Sequence, residues 1–384
     1  MGGTDGVRID GDTLLLPGGV RVRFVRTLRL PETGTHALPP GLGSFPLRRV
    51  QDFPGTAPAE WLARGGVMLP VYLREAMWLH FGGTSRPAAL KVGVGKVCAV
   101  SGKPWSDRLS SDPQNYLPLP DQPWLDGINS GRGTVRQFVA VPLGLGATVE
   151  GQVTGEETWG GVQLQAFGLT DGKLAEWTRL QARSGSWPPP GPGAVPPPPP
   201  FAPGPPPPSP FTAAPVSAPA HDVVFGAPPA PGASPPAPGA VPPPAPAAAA
   251  PRGAAPRAAA MGLGVGGSMR QQVHRDARPL SDWSQEASGR VFVHLVTPPE
   301  WRRITGEAPP PSPVDRAAYT RAGLPWFEHY DEDAVDVDPS GTLAGVRPVG
   351  DWLGDDHAPW VPPGPHQVVR LGDEPGSPVA DGDW

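Results

Sequence analysis

The stretch from Gln122 to Phe138 contains Trp124, Asp126, Asn129, Arg132 and Arg136 among three glycines, Gly127, Gly131 and Gly133. Each arginine presents a rigid fork of N–H donors that matches a carboxylate or phosphate. Glycines let backbone approach a ligand closely, and a tryptophan beside them offers a flat apolar face. Trp124, Asp126, Arg132 and Arg136 are therefore the candidate binding residues of a glycine-rich loop leading into a strand. The same residues also admit a structural reading, in which Arg136 satisfies Asp126 and Trp124 anchors a long loop.

Other motifs fail on context or spacing. Gly262-Leu263-Gly264-Val265-Gly266-Gly267 matches G-x-G-x-x-G, but it follows an Ala/Pro-rich stretch instead of a strand and is expected to be a flexible junction. Gly93-Val94-Gly95-Lys96 lacks the glycine and the hydroxyl of a phosphate loop, because Leu90 and Val97 occupy those positions. It reads as strand–turn–strand with Lys96 at the rim. Asp336-Val337-Asp338-Pro339-Ser340-Gly341 resembles the first half of a calcium loop, yet Arg347 stands where the bidentate carboxylate belongs. The eight histidines are scattered, with no zinc-protease or nucleophile-elbow pattern. His80 and Cys98, both flanked by apolar residues, read as packed core residues. No catalytic residue, metal ligand or cofactor is assigned.

The elements that would position these residues are mostly strands. Leu14–Leu16 and Val20–Val25 flank Pro17-Gly18-Gly19 as a hairpin signal. Short runs follow at 77–81, 89–94, 96–100, 137–141 and 162–167, each punctuated by Gly or Pro. Residues 5–183 are thus expected to form a mainly β domain, a sandwich or partly open barrel with short helices near Glu60–Arg64 and Ala175–Leu180. Of 60 prolines, 29 fall between Pro188 and Pro256. Residues 187–260 therefore read as a disordered Pro/Ala/Gly-rich linker, unable to bury enough apolar surface to offset chain entropy. Residues 261–350 read as a small α+β domain: a strand at Val291–Val296, a capping box at Thr297–Glu300, and a second capped helix ending at Gly323. Residues 351–384 read as an acidic disordered tail.

Bulk properties narrow the class. The net charge is −5, and residues 331–384 contribute twelve carboxylates against Arg347 and Arg370, or −10. The remaining +5, spread over a long chain, makes no dense basic patch and argues against nucleic acid. One cysteine fits a reducing compartment. The start of the chain has no apolar signal-peptide core, and no run approaches the length of a membrane span. The expectation is a cytoplasmic protein with no membrane partner. Few lysines with abundant Ala, Gly and Pro suggest a GC-rich bacterial genome.

Gly65–Tyr72 through Trp78–Phe81, together with Gln122–Gly127 and Arg136–Gly144, resembles a family of uncharacterised bacterial proteins, and Phe292–Asp331 is similar to the second half of such proteins. The resemblance implies two genuine folded units and carries no function across. The leading reading is a non-enzymatic binding or scaffold protein of two tethered modules, whose partner is another protein or a small anionic ligand. The alternative is an enzyme with an unfamiliar site around the 122–138 loop.

Overall fold

Alternation of apolar residues on both sides of Pro17-Gly18-Gly19 folds the chain back on itself. Strand Thr13–Leu16 pairs antiparallel with Val20–Thr27, placing Leu14 opposite Val22 and Leu16 opposite Val20. All four are buried. The computed structural model describes residues 6–184, 260–313, 315–329, 335–353 and 362–371. Across the sheet, Val20–Thr27 is followed by Ala76–His80, then Thr134–Pro142, then Ala260–Arg270. A second series runs from Ala88–Val94 to Val162–Gly168 and on to Gly289–Val296. Gly289–Val296 also lies parallel to Val67–Pro70. The two series join where Ala260 and Met261 meet Val296 and Leu295. One apolar core draws on both, with Leu14, Phe24, Leu79 and Phe138 from the first and Leu90, Leu164 and Val293 from the second.

The mainly β class with short helices is thus the observed architecture, and a small α+β region follows it. The expected separation of 5–183 from 261–350 into independent domains needs correction. Ala260–Arg270 pairs along its length with Thr134–Pro142, and Gly289–Val296 pairs with two strands of the first flank. Between themselves these two late strands pair only at two positions. Their remaining buried N–H and C=O groups find partners in the earlier flank, so neither flank completes the sheet alone. We expect residues 1–183 and 261–384, produced separately, to fail to unfold cooperatively, and to co-purify as a folded complex when expressed together. A cooperative thermal transition in isolated 1–183 would contradict the shared sheet.

The G-x-G-x-x-G segment is corrected as well, since it is a buried central strand and not a junction. Its glycines are needed because neighbouring chain lies directly on it. A Cβ on Gly267 would sit 1.9 Å from the carbonyl oxygen of Pro31, and one on Gly264 would sit 2.7 Å from that of Ala147. The expected linker lies outside the described residues except Ala260, which begins this strand.

The later helices follow their capping grammar in part. Pro298–Thr305 begins after Thr297 and ends at Gly306, whose φ of 74° suits the left-handed conformation. It buries Trp301 and Ile304. Thr297 makes no side-chain cap, however, and Glu300 pairs with Arg303 instead. Asp315 caps Arg316–Arg321 by accepting from the Ala318 N–H at 3.0 Å. The acidic tail beginning at 351 also needs correction, because Val368–Leu371 pairs in parallel with Trp326–His329. Among the described residues, no helix is long and apolar enough to cross a membrane.

Candidate functional site

The residues expected to form a binding loop lie instead on a β-hairpin. Trp124–Leu125 pairs with His80 and Leu79, and Gly127–Gly131 pairs back on Thr134–Gln137. Trp124 is half-buried. Asp126 is 4% exposed, and its carboxylate accepts from Gln271 Nε2 at 2.7 Å while its own N–H donates to Gln271 Oε1 at 2.9 Å. Burial pushes the Asp126 pKa up to about 7. Arg136 does not reach Asp126, since its guanidinium donates to the carbonyl of Val346. Arg132 sits at the exposed hairpin tip, 3.6 Å from Asp338. The four candidates are therefore dispersed, and the hollow beside Trp124 holds about 10 Å³, room for about one water.

The remaining sequence candidates resolve locally. Cys98 is buried, and the side chain of His80 is hydrogen-bonded to Arg23 at 2.9 Å. Asp338 pairs with Arg275 at 2.9 Å, and Ser340 caps the helix Gly341–Ala344, so much of the calcium-like segment is engaged within the protein. Among the described residues, no cluster of three potential metal ligands occurs.

A cleft of about 480 Å³ opens elsewhere. It lies beside the strands Val162–Gly168 and Gly289–Val296, and residues from both flanks line it. Its walls are aromatic and cationic. The loop after Pro104 supplies Trp105 and Asp107, the turn before Val97 supplies Lys96, and the late flank supplies Arg290 and Phe292. Arg64, the last residue of the helix Ala59–Arg64, lies 4.3 Å from the Trp159 ring centroid and 4.8 Å from that of Phe292. Two aromatic rings thus hold a cation. Arg290 is 2.6 Å from Asp107, and Lys96 is 3.6 Å from Glu156 at the exposed edge.

Two buried charges of opposite sign hold segments that line the cleft. Lys91 is 1% exposed, and its ammonium donates to the carbonyls of Ser106 and Arg108 at 2.5 and 2.7 Å. This fixes the loop that carries Trp105, whose ring centroid lies 4.9 Å from Lys91 Nζ. Burial lowers the Lys91 pKa. On the other side Glu150, fully buried, accepts from the N–H groups of Trp159 and Gly160 at 3.1 and 2.8 Å. Burial raises its pKa, and the backbone N–H groups of Gly160 and Trp159 and the charge of Lys96 oppose that rise.

Sequence reasoning singled out only Lys96 among these lining groups, and only as a rim residue. A lone lysine inside the apolar run Ala88–Val94 and a glutamate beside Val149 were the available signals of buried charge. Compared with known proteins, the chain matches no family model, no curated protein and no solved structure.

Proposed function

We propose that the chain is a non-catalytic binding protein whose cleft holds a small anionic ligand, in a cytoplasmic setting. The observation that supports it is the charge of the lining. Among the described residues that line it, three cations, Arg64, Lys96 and Arg290, face one carboxylate, Asp107, and that carboxylate is already paired with Arg290. Charge-assisted hydrogen bonds to an anion are about twice as strong as neutral ones, and a concave, partly apolar wall screens them less than open water does. Among the described residues, no histidine, cysteine, serine or tyrosine lines the cleft, which favours holding a ligand over transforming it. The single buried cysteine suits a reducing compartment.

Calorimetric titration with inorganic phosphate and citrate at low salt is expected to give saturable binding. Lys96→Gln is expected to weaken it roughly tenfold, the effect of about 1.4 kcal/mol from one lost charge-assisted contact. Added salt should weaken it further. Binding unaffected by Lys96→Gln, or absent altogether in the wild-type chain, would overturn the reading.

A further inference from the structure

The cleft has room for more than a bare inorganic anion, and its aromatic residues are not equivalent. A volume of about 480 Å³ falls within the roughly 300–1,000 Å³ of sites that enclose organic ligands. Trp159 and Phe292 already stack against Arg64, so their role is to hold that guanidinium in one orientation. Trp105 is differently placed. Its ring rests on Gly93, where a Cβ would come within 2.6 Å of Trp105 Cε3, and glycine is thus what lets the indole seat against the strand. Lys91 stands beside the same ring and anchors its loop from beneath. A ring fixed in this way loses little conformational freedom when something stacks on it. A cation close by also draws π-electron density toward itself, which favours an electron-rich partner on the remaining surface.

We propose that the ligand is a flat aromatic ring joined to a phosphate or carboxylate, with the ring stacked on Trp105 and the anionic group met by Lys96, Arg64 and Arg290. This rests on the anionic-ligand reading above and adds the ring to it. Lys91 and Glu150 act as positioning residues: the first holds the stacking wall and the second holds the wall that carries Trp159.

The test compares ligands that differ by one part. Naphthyl phosphate and methyl phosphate share the anion, naphthoate and acetate do the same for a carboxylate, and naphthol carries the ring alone. Calorimetry on the full chain is expected to show naphthyl phosphate, or naphthoate, binding at least tenfold tighter than its ringless counterpart and than naphthol. Whichever pair shows the larger gap identifies the anionic group. Trp105→Ala should abolish the gap and leave the ringless anion within about twofold of wild type, whereas Trp105→Phe should keep most of it. Equal binding of ringed and ringless anions would overturn the ring and leave the anion site standing. Naphthol binding as tightly as naphthyl phosphate and naphthoate would remove the anion site itself, and with it this inference. A gap that persists in both Trp105 variants would also overturn the proposal, because the ring would then bind elsewhere.

Discussion

Glu75→Ala is expected to lower the folding stability by about 3–5 kcal/mol, the usual range for removing one partner of a buried ion pair. Glu75 is 2% exposed, and its two oxygens are both engaged, one with Arg26 Nε at 2.5 Å and the other with the N–H of Tyr72 at 2.9 Å. Burial, the largest influence, raises the Glu75 pKa even though Tyr72 and Arg26 pull it down. The attraction to Arg26 therefore does not fully offset the cost of burying the carboxylate. The loss in the variant comes from stranding Arg26, itself buried, whose other donor holds the carbonyl of Pro311 at 2.7 Å. Tyr72 Oη holds Pro310 alongside at 2.8 Å, so the late-flank proline segment is docked on the two residues that Glu75 bonds. Urea denaturation should show the fall as a lower midpoint. Combining Glu75→Ala with Arg26→Met should recover much of it, since no charge is then left buried. A loss below about 1 kcal/mol in the single variant would show that Arg26 relaxes into water.

Asp126→Asn is expected to stabilise the protein above pH 7 and to do so progressively less as pH falls. The ordinary carboxyl value of 3.8 is raised to about 7 in the folded chain. Between those values the folded state holds a proton that the unfolded state has released, so stability from this group is fully present below about pH 4 and is lost as pH rises toward 7. A shift of that size corresponds to about 4 kcal/mol. Asparagine keeps an oxygen for Gln271 Nε2 and carries no charge, so it removes the loss. Melting temperatures of both proteins across pH 4.5–8 should diverge with rising pH in favour of the variant. A constant difference over that range would mean that the carboxylate is solvated, and would reopen a catalytic role for the hairpin.

Both sites include a contact between the two flanks, Arg26 with Pro311 and Asp126 with Gln271, and that is where sequence reasoning ran out. Alternation in Val20–Val25 and the β-rich runs at 89–94, 137–141 and 162–167 correspond to observed strands to within three residues at each end. A half-buried or buried strand needs apolar side chains at fixed intervals, and that requirement is written locally. Ala260–Arg270 escaped because its close neighbours require glycine where a strand normally shows β-branched residues. Asp126 was noticed by its composition, but its partner Gln271 lies 145 positions away. No spacing rule reaches that far.

The sequence by itself determined the mainly β class, the short capped helices and the rim position of Lys96, because propensity, capping and turn chemistry act over a few residues. Only the tertiary structure decided that the flanks share one sheet. It also decided that Arg136 answers to Val346 and that Arg64, Trp105, Trp159 and Arg290 line one cleft. Strand pairing is set by backbone hydrogen bonds that any residue but proline can make, so the sequence carries no local mark of which strands will meet. A cleft assembled across such pairings inherits that silence, and its charge becomes legible only once the strands are in place.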